Sequence, residues 1–281
     1  ILFYKGLKVH IDVFSGNAFR IADLASRIAK FRNKEVILTL HGGKLAEFAT
    51  AQMPMVKSLF HRASYIQTPS LFLQSYFQNE GFHINYLPNP LKLENFPFSR
   101  EEVKKYSLLW VRGFSAIYNP EVPIKILNTL KVKFPDSRLT MIGPDRGLLN
   151  DCKKLVADLG LSNSVQFVGS IPNNELYKYY QSHEVYLNTT SYESFGVAVI
   201  EAASCGIPII SNKVGEIPFL WKDKVNMLMV ENNNIDQYVE SIENIFENTE
   251  LSKKLSLNAR IKTESFSWDI MKNYWINLLK N

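Results

Sequence analysis

No apolar run in this chain approaches the roughly 20 residues that a membrane-spanning helix needs. The opening ILFYKGLKVH also lacks the length of a signal peptide. Cysteine is scarce. Cys152 and Cys205 make neither a disulfide framework nor a metal site, so a reducing cytoplasm is the expected setting. There is no Asp-x-Asp pair to suggest a catalytic metal, and no fixed-period repeat or low-complexity tract. No Arg/Lys-rich run stands out, so nucleic acid is not an expected partner. What remains is an ordinary globular composition, 46% hydrophobic and 21% charged over 281 residues, enough for one large or two medium domains. The net charge of +5 agrees with a phosphate-bearing ligand and with loose attachment to an anionic membrane surface.

Strand and helix patterns alternate along the chain with short connections, which predicts an α/β fold with parallel sheets. Residues 8–14 alternate like a strand. A helix over 19–31 follows, with Ile21, Leu24, Ala25 and Ile28 as its expected buried stripe. Residues 36–40 read as a buried strand ending in His41-Gly42-Gly43, and the loop at a strand's carboxyl end is where open α/β sheets bind ligands. A histidine there also suits simple pairing with turn amides. Pro54 should break the helix over 45–62, and Ser70 should cap the next one. Strands follow at 65–68 and 84–87. After Pro88-Asn89-Pro90, residues 91–105 read as a linker. Six strands are expected beyond it, at 108–111, 139–142, 165–168, 185–187, 207–210 and 227–230, with helices between and after them.

The stretch from Tyr186 to Trp221 organises the rest. A strand leads into the polar loop Thr189–Ser194. A helix starts at Gly196 and stops at Gly206, and the next strand begins near Pro208. The unpaired amides of a helix start make the Phe195-Gly196-Val197 backbone a ready anion site. Carboxylates stand on either side of it. Glu193 suits the hydroxyls of a sugar and Glu201 a ribose diol; taken singly, Glu193 also suits a helix cap and Glu201 a surface ion pair.

Together, Glu193-Ser194-Phe195-Gly196-Val197, the seven-residue spacing to Glu201, Cys205-Gly-Ile-Pro208 and Val214-Gly215 resemble the E-x7-E signature of the family-4 (group 1) retaining glycosyltransferases. The resemblance implies the GT-B fold of two Rossmann-like, doubly wound domains. The first would cover residues 1–92, with a helix over 265–281 crossing back to it, and the second, which binds the nucleotide sugar, residues 106–264. It also implies that Glu193 contacts the transferred sugar, that Glu201 holds the ribose, and that Ser194 to Val197 receive the diphosphate. His41 would line the cleft near sugar and acceptor. The implied activity is a retaining, hexosyl-type transfer from a nucleotide diphosphate sugar to a glycan or lipid acceptor in polysaccharide biosynthesis. It needs no cofactor or metal and is set in the cytoplasm, peripheral to the inner face of the membrane. A glycoside hydrolase working through Glu193 and Glu201 is one alternative. A catalytically silent nucleotide-sugar or membrane-surface binding module with the same fold is another.

The match departs from its family in two places. The family places Gly-Arg after the second domain's first strand and a Lys at the next helix start. Here Arg112 is displaced by about one position and Asn119 stands where the Lys belongs, with Lys213 or Arg146 available to compensate and Lys125 reading as a solvated helix residue. The opening Gly-rich turn is also absent, the chain begins at Ile1, and only about four strands are expected in the first domain. That domain therefore reads as truncated at its N-terminus.

Overall fold

The structure, a computed structural model, describes residues 6–42 and 44–280. Gly43 and Ile1 lie outside those residues. The chain divides into two compact units, Ile1–Pro90 with Asp269–Asn281, and Leu91–Trp268.

In unit 1 strands and helices alternate: β1 (Lys8–Val13), α1 (Asn17–Phe31), β2 (Glu35–Leu40), α2 (Leu45–Phe60), β3 (Tyr65–Thr68), α3 (Leu71–Asn79) and β4 (Asn85–Tyr86). The strands pair in parallel in the order β1-β2-β3-β4. Helix α2 bends at Gln52 (φ −131°, ψ 34°), because Pro54 lacks an amide and crowds the backbone before it. The Ser70 hydroxyl accepts from the Leu73 amide at 3.1 Å and caps α3, as predicted.

Helix α1 corrects the sequence expectation. Its buried residues are Phe19, Ala22, Ser26 and Ala29, whereas Ile21 and Leu24 are exposed. The helix carries two apolar stripes, and the small residues are the ones that let it lie close to the sheet. Asp23 and Ser26 are both bonded by Arg62, which fixes the rotation of the helix.

Unit 2 holds a six-stranded parallel sheet. Its elements are β5 (Ser107–Val111), α4 (Glu121–Leu130), β6 (Arg138–Ile142), α5 (Leu149–Asp158), β7 (Val165–Gly169), α6 (Leu176–Ser182) and β8 (Val185–Asn188), then α7 (Val197–Cys205), β9 (Ile209–Asn212), α8 (Ile217–Leu220) and β10 (Leu228–Val230), and finally α9 (Ile235–Glu247) and α10 (Thr249–Glu264). The strand order is β10-β9-β8-β5-β6-β7, so the chain winds outward from β5 in one direction and then, from β8, in the other. The expected strand at 207–210 begins two residues late. Pro208 cannot donate to the ladder, but its carbonyl accepts from the Tyr186 amide at 2.9 Å. The segments entering and leaving unit 2 run side by side: the Leu91 amide donates to Phe266 O (2.8 Å) and the Trp268 amide to Leu91 O (3.1 Å). The last helix, α11 (Trp268–Lys280), returns to unit 1, where Trp275 meets the His10 ring edge-on at 5.3 Å and Lys8 Nζ donates to Leu278 O.

His183, between α6 and β8, is 6% exposed. Its ring nitrogens lie 2.8 Å from Tyr179 O and 2.8 Å from Thr140 Oγ1. Burial, aided by the charges of Lys104 and Arg100, pushes its pKa down to about 4 against the pull of the Tyr179 carbonyl. The unfolded imidazole titrates near its ordinary value of about 6.5. The folded protein therefore has the full benefit of neutral His183 above that pH and loses it as pH falls toward 4, by about 3 kcal/mol at most. Half-buried Glu184 and buried Glu201, whose pKa values burial raises, act in the opposite sense. They cancel in a comparison with His183→Gln. Urea unfolding from pH 7 to 4 is expected to destabilise the native protein more than the variant; parallel curves would contradict the assignment.

Candidate functional site

The two directions of winding part between β5 and β8, and the carboxyl ends of these strands carry the site. Arg112 follows β5 directly, and Asn188 closes β8 before the loop that leads to Glu193. The Arg112 Nη2 donates to Glu193 Oε2 at 2.5 Å and to Asn188 Oδ1 at 3.2 Å. The Asn188 amide is turned that way because its Nδ2 is engaged by Ser211 Oγ at 2.9 Å. The guanidinium lies over the Tyr118 ring, 5.3 Å from its centroid. Both members of the pair are nearly enclosed, with side-chain exposures of 12% and 9%. Burial works against the charge on Arg112, but Glu193 and the surrounding tyrosines outweigh it and hold the guanidinium firmly protonated. Its Nε is buried with no partner among the described residues, an N–H that costs free energy as it stands.

Two glycines set this pair, and the sequence pointed to only one of them. Gly215 (φ +53°) sits so close to the Glu193 loop that an added Cβ would lie 2.1 Å from Glu193 O, and the neighbouring Glu216 amide donates to that same oxygen. Gly143 (φ +149°) does the same behind Arg112, where a Cβ would lie 1.9 Å from its carbonyl oxygen. A turn glycine after a strand is too common a pattern to have marked Gly143.

Helix α7 starts at Val197, with Gly196 in the left-handed region as its N-cap and no side-chain cap, so Glu193 is not a capping acid. Phe195 and Gly196 are buried, Val197 is half exposed and Ser194 partly exposed. The Phe195 ring packs edge-on against Phe266 at 5.9 Å, which anchors the helix start. Glu201 is not a surface residue either. It is 4% exposed, its Oε1 accepting from Asn173 Nδ2 at 2.8 Å and its Oε2 from Tyr180 Oη at 3.3 Å. Burial raises its pKa, and these two hydrogen bonds oppose the rise. Asn173 and Tyr180 escaped the sequence because they come from elements that nothing local connects to Glu201.

Asn119 adopts a left-handed conformation, and its amide donates to Thr189 O (2.8 Å) and Ser191 Oγ (2.7 Å). It ties the loop before α4 to the loop after β8. Of the two expected compensating cations, Arg146 packs over Gly113 beside Arg112, and Lys213 is exposed. Lys125 is exposed, as expected of a solvated helix residue. His41 belongs to unit 1. At the carboxyl end of β2 its ring stacks on Phe14 at 5.2 Å, and its Nε2 lies 3.0 Å from Asp12 Oδ1, so a carboxylate rather than turn amides is its partner.

Chemically, unit 2 thus offers a nearly enclosed guanidinium and a helix amino end to an anion, and two carboxylates to hydroxyl donors. The model of the family described as "Glycosyl transferases group 1" matches residues 92–262. A D-inositol 3-phosphate glycosyltransferase of Streptomyces bingchenggensis is 32% identical over 116 residues, which is 41% of this chain and 26% of the relative. The chain spans between a quarter and a half of the length of the curated relatives that it matches. Among solved structures, sucrose-phosphate synthase from Thermosynechococcus elongatus superposes with a TM-score of 0.81 at 19% identity, covering 98% of this chain and 73% of that one. The Anabaena protein HepE, in complex with UDP and glucose, gives a TM-score of 0.81 at 18% identity, covering 96% and 77%. The fold is that of the GT-B glycosyltransferases, mixed α/β with parallel sheets.

Proposed function

The chain belongs to the group 1 glycosyl transferases, and on that premise we propose that it moves a sugar from a nucleotide diphosphate sugar to a hydroxyl of a glycan or lipid acceptor with retention of configuration. The Arg112–Glu193 pair beside the start of α7 carries this reading. The diphosphate is placed against the Phe195-Gly196-Val197 backbone and Arg112. It gives the guanidinium a second anion to pair with and releases Glu193 to accept hydrogen bonds from the sugar. Glu201 takes the ribose diol on lone pairs that Asn173 and Tyr180 leave free. That HepE holds UDP with glucose supports a nucleotide-sugar donor.

In the reaction, the bond from the sugar's anomeric carbon to phosphate oxygen breaks and one to the acceptor oxygen forms on the same face. The acceptor proton passes to the departing phosphate oxygen, and nucleoside diphosphate leaves. Arg112 and the helix amides stabilise the charge growing on that leaving group. His41, held by Asp12, is assigned to the acceptor side. The basic balance of the chain suits an acceptor at the inner face of a membrane.

Calorimetric titration with UDP and measurement of UDP release from UDP-glucose test the division of labour. Glu201→Gln removes a charged acceptor worth about 1.5–3 kcal/mol and is expected to weaken UDP binding roughly tenfold to a hundredfold. Glu193→Gln is expected to leave UDP affinity within about threefold, since the nucleotide keeps its Arg112 and helix-amide contacts, and to lower turnover. Equal loss of UDP affinity in both variants would contradict the assignment. Tight UDP binding with no release by the native chain would favour the silent binding module instead.

A further inference from the structure

At the opposite end of the same sheet, below the amino ends of β5, β6 and β7, lies a cavity of about 470 Å³. Its cationic wall consists of Lys104, Lys105 and Arg138, and no Asp or Glu lines it. Among the described residues these three cations form no ion pair within 4 Å, the nearest acidic influence being Glu184 on Lys105. Arg138, an exposed side chain, donates Nη1 to Asn163 O at 3.0 Å, which holds the guanidinium at the mouth. The rest of the lining holds neutral hydrogen-bonding groups, the Ser164 hydroxyl and the amides of Asn163 and Gln166, while the Ser107 and Ser182 hydroxyls already donate to Lys104 O and Tyr179 O. The floor is the His183–Thr140 pair, both buried.

Like charges gathered around one cavity repel one another, and that cost falls when an anion enters; Glu184, which attracts Lys105, offsets it only in part. Burial and neighbouring cations already keep His183 neutral, and its two ring nitrogens are taken by Tyr179 O and Thr140 Oγ1, so the ring adds no charge and serves as a fixed floor. The volume falls within the 300–1,000 Å³ range of small-molecule sites and exceeds what an inorganic anion fills. The hydroxyl and amide lining suits a ligand with several hydroxyls of its own. We propose that this cavity, formed by Lys104, Lys105, Arg138 and the polar groups between β6, β7 and α6, is a second binding site that takes a sugar phosphate. It is separate from the donor site: the donor site lies at the carboxyl ends of the strands and this one at their amino ends.

The test is calorimetric titration of the whole chain, first saturated with UDP to occupy the donor site, with glucose 6-phosphate and separately with inorganic phosphate. Saturable one-site binding of glucose 6-phosphate is expected, at least tenfold tighter than phosphate. The Lys105→Gln/Arg138→Gln variant should lose at least tenfold in affinity, with UDP binding unchanged. Gln166→Glu, a near-isosteric change that sets a carboxylate in the lining, should do the same. Absence of saturable binding in the UDP-saturated native chain would overturn the proposal, and so would unchanged binding in both variants. Equal affinity for phosphate and glucose 6-phosphate would overturn the sugar component, and a matching loss of UDP affinity in the variants would show that the effect is not local to the cavity.

Discussion

Replacing Arg112 by Met is expected to destabilise unit 2 by about 3–5 kcal/mol, the cost of leaving a buried charge without its partner. Glu193 sits with 9% of its side chain exposed, and its partner at 2.5 Å is Arg112. Met keeps much of the volume over the Tyr118 ring and removes the charge. The abandoned carboxylate, rather than a cavity, then sets the penalty. The double variant Arg112→Met/Glu193→Leu separates these causes. A buried pair replaced on both sides by apolar groups is often close to neutral, so the double variant should recover most of the lost stability. UDP affinity should not recover with it, because both variants lack the cation assigned to the diphosphate. Urea-unfolding free energies of the native chain, both single variants and the double variant give the coupling directly. A single variant that unfolds like the native chain would mean that Glu193 reaches water freely in solution.

Gly215→Ala should produce a loss of similar size by a different route. A side chain at φ +53° costs about 1–2 kcal/mol through left-handed backbone strain. The new Cβ would also meet Glu193 O at 2.1 Å, and backbone oxygen cannot rotate aside as a side chain can. Overpacking of that kind adds about 1–3 kcal/mol, for a total of about 2–5 kcal/mol. Gly160→Ala is the control, since φ is +68° and no atom lies within 4 Å of its Cβ position. It should lose only the strain term. If the two variants have the same urea midpoint, the close approach at Gly215 does not constrain the loop. If they differ as expected, Gly215→Ala should also lower turnover, because the loop it displaces carries Glu193.

The strands of unit 2 are legible in the amino-acid sequence itself. Short apolar runs separated by amphipathic segments mark β5 to β10 within two residues, since buried parallel strands leave few places for polar residues. Glu193, Gly196 and Glu201 are legible because three chemical demands coincide in nine residues of chain. The contacts that hold these residues are not. Gly143 touches Arg112, Asn119 crosses to Thr189, and Asn173 and Tyr180 converge on Glu201; each of these contacts joins segments that are 21 to 70 residues apart or is made by a residue type with many other uses. Helix α1 departs from expectation for another reason. Periodicity measures whether a helix is two-sided, and α1 has an apolar stripe on either side. The choice between Ala22, Ser26 and Ala29 and the larger Ile21 and Leu24 depends on how closely the sheet approaches, which periodicity does not encode.

The hydrogen bonds from Leu91 to Phe266 and from Trp268 to Leu91 bring the two ends of unit 2 together. A stretch whose ends adjoin can be lifted from one polypeptide and set into another without rethreading either, which is why such insertions are tolerated. The family match, residues 92–262, lies wholly inside that stretch. Unit 2 has the form of a heritable cassette. A transfer at its joined ends would carry Arg112, Glu193 and the glycines that space them as a single piece.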